Sequence, residues 1–250
     1  ATGPNYTSGN LTVTTYFRRF VAASISGSTG YSDVATITVN PQLQGGTLSP
    51  DSQDIFTGTS PATIGGSPAS GGGCGCAYTY SWESSPDGTN FTLISGTAST
   101  YSPGSLSSTT YYRRKVSCSG QTAYSTTAVV VVHNHLTAGT ASPSSVTIAY
   151  NTSPGQLTAT ASTGGMCGSY SYQWQQSSDN FVWSDVGPAG SLTYTPGNLT
   201  TAMYYRLKSV CGSETANTNT ITVQFPPFVA GATSPSSQLT NIYTGAPLNL

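Results

Sequence analysis

Along most of this chain, apolar side chains recur at every second position. Tyr78, Tyr80 and Trp82 share one face of their segment while Thr79 and Ser81 point the other way, and Tyr170, Tyr172 and Trp174 repeat the arrangement. Alternation with period two marks a strand that buries one face. Later runs alternate likewise: Ile37 with Val39, Val130 with Val132 and Ile221 with Val223 read as inward positions of antiparallel sheets. Between the runs stand turn formers. Asp87-Gly88 places a hairpin turn between two apolar segments, and Phe91 beyond it corresponds to Trp183. Pro and Gly punctuate every connection, and no window offers a capped helix of period 3.6. The pattern predicts an all-β protein of about seven short strands per sandwich.

The strands recur at a fixed interval. TTYFRR begins at Thr14, TTYYRR at Thr109 and AMYYRL at Ala202, which are 95 and 93 residues apart. Tyr6, Gly9 and Leu11 precede the first string as Tyr101, Gly104 and Leu106 precede the second and Tyr194, Gly197 and Leu199 the third. A second ladder marks the fronts of the units: GGTLSP ends at Pro50, AGTASP at Pro143 and AGATSP at Pro235. The expected organisation is therefore residues 1–41 as the back part of one repeat, 42–133 and 134–225 as complete repeats, and 226–250 as the front of another. A unit of this size can bury a core by itself. Half a sandwich cannot, so the chain is expected to be cut from a longer array.

Composition narrows the function classes. Only 6% of residues are charged, and the formal net charge is -1. No field exists to draw nucleic acid or an anionic membrane. With 16 Tyr among 10% aromatic residues, the chain is too rich in core formers to be disordered. No apolar run is long enough to span a bilayer and no leader opens the sequence, so any targeting segment is expected outside these residues. Five cysteines beside two His suit disulfides in an oxidising compartment better than a zinc site.

The string YxYxW, SxDGxNF, YSPGxL, TTYYRR, Cys and VVVV covers both complete repeats, and its last third covers the opening fragment. In this it resembles the immunoglobulin-like repeats of large Bacteroidetes surface and secreted adhesin-type proteins. The resemblance implies tandem immunoglobulin-like antiparallel β-sandwiches in a linear array, serving as spacers or adhesive stalks that are often exported by the type IX route. It fails at Ala23, which stands where Cys118 and Cys211 stand, and at Leu207, which replaces the second Arg of the pair. The immunoglobulin-like topology also implies disulfides: Cys167 with Cys211, and Cys118 with either Cys74 or Cys76, of which Cys76 is preferred.

All seven basic residues, Arg18, Arg19, Arg113, Arg114, Lys115, Arg206 and Lys208, occupy the three copies of one strand. One account makes Arg113 and Arg206 contacts for carboxylated or sulfated surface glycans. The plainer account, preferred on sequence grounds, is an exposed strand face whose arginines pair with groups such as Glu83 and pack over aromatic rings. His133 and His135 flank Asn134, but no acidic or thiol neighbour in sequence completes a metal shell, so a polar linker is expected. Asp51 and Asp54 are too few for a calcium site. No Ser-His-Asp set, facing carboxylate pair or phosphate loop is present. No cofactor, metal or catalytic residue is expected. Five sequons, at Asn5, Asn10, Asn90, Asn151 and Asn198, would matter only in a eukaryotic secretory pathway.

The expectation is a non-enzymatic segment of a long extracellular, cell-surface stalk whose partners are its neighbouring repeats, with surface glycans or other copies of itself as further candidates. Two alternatives stay open: an array of carbohydrate-binding modules, and a filament subunit completed by strand donation.

Overall fold

A computed structural model describes residues 5–73, 75 and 77–227. The chain forms two compact units that divide between Asn134 and His135. Among the described residues there is no helix.

The first unit opens with a hairpin. β1 (Thr15–Phe17) pairs with β4 (Ala35–Ile37), and β2 (Phe20–Ala22) with β3 (Thr29–Tyr31). Between the two pairings Arg19 N donates to Ser32 Oγ while Ser32 N donates to Arg19 O, so the hairpin jogs without losing its backbone bonds. Phe20, Val21, Tyr31 and Ile37 stay exposed. A two-stranded ribbon has only one layer, and no second sheet covers it among the described residues.

The rest of the first unit is a two-layer sandwich. Its strands are β5 (Leu48–Ser49), β6 (Ser52–Phe56), β7 (Gly65–Gly66), β8 (Thr79–Ser85), β9 (Thr92–Ile94), β10 (Thr110–Cys118), β11 (Gln121–Tyr124) and β12 (Ala128–His133). The larger sheet runs β6-β12-β10-β8-β9, with β11 also on β10. All its neighbours are antiparallel except β6 and β12, which run parallel from Ser52↔Val129 to Phe56↔His133. The opposing layer pairs β5 with β7, and a bridge joins Ile64 to Tyr101.

The second unit repeats the plan with β13 (Ala141–Ser142), β14 (Ser145–Thr147), β15 (Leu157–Ala159), β16 (Ser171–Ser177), β17 (Ser184–Val186), β18 (Thr193–Tyr194), β19 (Met203–Cys211), β20 (Glu214–Asn217) and β21 (Ile221–Gln224). Its sheets run β14-β21-β19-β16-β17, with β20 on β19, and β13-β15-β18. β14 and β21 are again parallel. Both units are immunoglobulin-like sandwiches by this topology.

The repeated sequence strings explain the cores. Trp82 and Trp174 are both fully buried. Tyr101, from the Tyr-Ser-Pro-Gly string, lies between Trp82 at 5.4 Å and Tyr112 at 5.6 Å. Tyr194 sits likewise between Trp174 at 6.2 Å and Tyr205 at 6.0 Å. Offset aromatic packing of this kind adds to the apolar burial. Burial pushes the Tyr205 hydroxyl up to about 12 and raises that of Tyr112.

A shared device closes the sandwich. Arg114 N donates to Ser125 Oγ and Ser125 N to Arg114 O; Leu207 N and Thr218 do the same in the second unit. The strand therefore breaks between β11 and β12, and between β20 and β21. The next residue then reaches the other sheet: Leu48 N donates to Thr126 Oγ1, and Asn219 exchanges two bonds with the Ala141 backbone.

One expectation needs correction. The basic residues do not all lie on an exposed face, because Arg114 is 1% exposed, between Tyr112 and Val116 on the inward side of β10. Adjacent residues of a strand point to opposite faces, so Arg113 faces out and Arg114 in. Arg114 separates two apolar clusters, one around Trp82 and one around Leu43, Ala69 and Val116. In the second unit Leu207 takes that place within the apolar cluster around Trp174, and Ser209, at the position of Val116, bonds Ser162 instead of packing in a second apolar cluster.

Candidate functional site

The outward face of the larger sheet carries the strongest polar chemistry, and it differs between the units. In the first, Arg113 pairs across the strands with Glu83, and Leu93 stands on the far side of Glu83. Both Nε and Nη2 of Arg113 lie 2.7 Å from Glu83 Oε2. Phe91 covers one approach to the guanidinium at 4.0 Å and Tyr124 another at 4.1 Å. The cation is neutralised and capped by its own unit.

In the second unit the same register holds other residues. Arg206 stands opposite Gln175, and Gln175 opposite Asp185. Arg206 Nε donates to Gln175 Oε1 at 2.9 Å, and Gln175 Nε2 donates to Asp185 Oδ1 at 2.8 Å. Trp183 covers Arg206 at 4.1 Å. Asn217 occupies the register position that Tyr124 holds in the first unit, beside Lys208 as Tyr124 is beside Lys115. Neither terminal nitrogen of Arg206 has a hydrogen-bond or ion-pair partner among the described residues, and no second ring covers it. Partial burial lowers the Arg206 pKa from its ordinary value, as removing water from a cation must.

Arg114 works differently. Its Nη1 donates to Ser99 O at 2.8 Å, and its Nη2 to Gly45 O at 3.1 Å and Ser67 O at 2.6 Å. Three backbone carbonyls thus replace water around a buried cation that also lies 4.8 Å from the Tyr80 ring. It ties the loops of the opposing layer to β10 and is closed to any ligand.

The disulfide Cys167–Cys211 joins the segment before β16 to the end of β19, with Cα atoms 5.4 Å apart. Gly165 packs so close that a β-carbon there would collide with Cys211 Sγ, and its φ of 79° suits glycine. Cys118 is also disulfide-bonded. The proposed partner Cys76 and its rival Cys74 lie outside the described residues.

Each histidine is held by its own unit. His133 Nε2 lies 2.7 Å from Asp54 Oδ1, and His135 Nδ1 lies 2.6 Å from Glu214 Oε1. Leu136 N also donates to Glu214, and the His135 bond leads the effects that hold this carboxyl below its usual range. Sequence reasoning missed both partners because they are 79 residues away along the chain. Among the described residues no group of three or more His, Cys, Asp or Glu is placed to hold a metal ion.

Asp87 and Asp179 organise the hairpin turns. Asp87 accepts from Thr89 N and Asn90 N, and Asp179 from Phe181 N and Val182 N. These bonds favour the carboxylate and lower both pKa values. Beyond the second turn Phe181 and Val182 are 87% and 74% exposed, where the first unit has Thr89 and Asn90.

Comparison with known proteins adds a family. A family described as a domain of unknown function (DUF8696) matches residues 1–41, 44–134 and 137–225. No curated protein matches the chain. Among solved structures, it is similar to the three N-terminal domains of the highly immunogenic outer capsid protein (Hoc) of bacteriophage RB49, at 11% identity over 86% of this chain and 80% of that one, with a TM-score of 0.45. It is also similar to titin domains A168 to A170, at 14% identity over 84% of this chain and 73% of that one, with a TM-score of 0.42.

Proposed function

This chain belongs to the DUF8696 family of domains of unknown function, and we propose that it is a load-bearing, non-enzymatic segment of an extracellular surface stalk. The observation that carries this is the parallel pairing of an early strand with the last strand of each sandwich, β6 with β12 and β14 with β21. When a unit is pulled through its two ends, strands paired this way slide along each other, so their bonds are loaded together. Val129 N to Asp51 O closes one end of the first such ladder and Thr57 N to His133 O the other. In the second unit Thr222 N to Ser144 O and Ile148 N to Gln224 O do so.

The disulfide supports the same role. It locks a span of 44 residues of the second unit against extension, and disulfides persist outside the reducing cytosol. The charge is too low for salt to alter the sandwiches much. Surface display, adhesion and a bacterial source are part of the proposal and rest on the sequence resemblance.

Force–extension measurement on the intact chain tests it. Unfolding of the second unit should lengthen the chain less when oxidised than when reduced, by roughly 150 Å for the locked span at about 3.5 Å per residue. Equal steps in both states would remove the disulfide from any load-bearing role.

A further inference from the structure

We propose that the outward face of the second unit binds an acidic saccharide, with the guanidinium of Arg206 receiving the carboxylate or sulfate of a sugar ring. The inference goes beyond the load-bearing role and does not depend on it.

Its basis is the contrast between two copies of one site. In the first unit, Glu83 fills the place of an anionic ligand: it sits 2.7 Å from Arg113, and Phe91 and Tyr124 close over the pair. The second unit keeps the arginine and the aromatic ring on one side, but replaces the carboxylate with neutral Gln175 and the second ring with Asn217. Gln175 uses its oxygen on Arg206 Nε and its amide on Asp185, which fixes the guanidinium and leaves both terminal nitrogens available among the described residues. A fork of this kind matches the two oxygens of a carboxylate or sulfate. Lys208, two residues along the same strand face, adds a second cation without a carboxylate partner among the described residues.

The surroundings favour a sugar over an acidic peptide. Asp185 and Asn217 are exposed and offer an acceptor and an amide to sugar hydroxyls, and the half-buried Trp183 ring beside Arg206 offers an apolar edge. The second unit has two cations, Arg206 and Lys208, against Asp179, Asp185 and Glu214. That balance provides no field to gather a polyanion of either kind; what separates the two is that a sugar ring presents hydroxyls beside its charge and a glutamate side chain does not.

Trp183 supplies the readout, because Trp82 and Trp174 are fully buried. The intact chain is titrated with oligogalacturonate, with a sulfated galactan, with neutral galactan and with oligoglutamate, and tryptophan fluorescence is followed. The expected result is saturable binding of an acidic saccharide and of neither control. Response to the uronate alone assigns a carboxylate, response to the sulfated polymer alone assigns a sulfate, and either sustains the proposal. Arg206→Gln should weaken binding by roughly tenfold or more, and Arg113→Gln should not change it. Gln175→Glu combined with Asp185→Asn is the decisive variant, since it gives Arg206 a carboxylate as Glu83 gives Arg113 and reverses the Gln175–Asp185 hydrogen bond instead of setting two carboxylates side by side; it should abolish binding while leaving the fold intact, and Asp185→Asn alone should retain binding. Unchanged binding by the Gln175→Glu, Asp185→Asn double variant or by Arg206→Gln, equal binding of oligoglutamate or of neutral galactan, or no response to either acidic saccharide would overturn the assignment.

Discussion

Arg113 and Arg114 leave β10 on opposite sides, and their replacement should cost very different amounts. Arg113 pairs with Glu83 at a surface where both side chains retain some exposure, so Arg113→Ala should lower stability by no more than about 1 kcal/mol. Arg114→Ala would open a hole between two apolar clusters and strand the carbonyls of Gly45, Ser67 and Ser99. That should cost about 3 kcal/mol. Denaturant unfolding of the first unit checks both, and equal losses would contradict the burial. The signal for Arg114 was in the sequence, because Tyr112, Arg114, Val116 and Cys118 alternate in step with Trp82; treating the basic residues as one set hid it. The openness of Arg206 was not legible, since it depends on which residues β16 and β20 set beside it.

At the scale of elements, the repeat strings were readable wherever contacts are local or follow period two. The Trp strand, the hairpin turns and the Tyr-Tyr-Arg strand all lie where alternation places them. The partners of His133 and His135 were not, because β6 and β20 bring Asp54 and Glu214 from far along the chain. The jog before the last strand was not legible either, although Ser32, Ser125 and Thr218 recur in matching places. Thr218→Val keeps the volume but removes the acceptor for the buried N–H of Leu207, and should destabilise the second unit by about 1–2 kcal/mol in thermal or denaturant unfolding. The aspartate turns predict an acid limit. Both carboxyls titrate lower in the folded chain than in the unfolded one, so the stability they contribute is present above the unfolded value of about 3.9 and is lost as pH falls below it. Urea unfolding at about pH 5 and pH 2.5 should show that loss in the native chain and a smaller one in the Asp87→Asn, Asp179→Asn double variant.

At the scale of the whole molecule, each sandwich is fastened by its own core and by a cross-link near one end. On the chain-entropy account, the Cys167–Cys211 bond closes a loop worth roughly 4 kcal/mol, so reduction should lower the stability of the second unit by an amount of that order. What remains is the direction of load. Rupture force measured on the first sandwich in two pulling directions addresses it directly: attachment at residues 42 and 134 shears the β6–β12 ladder, whereas attachment at residues 52 and 129 peels it open from one end. The account predicts a much larger force for the first attachment than for the second, and equal forces would contradict it.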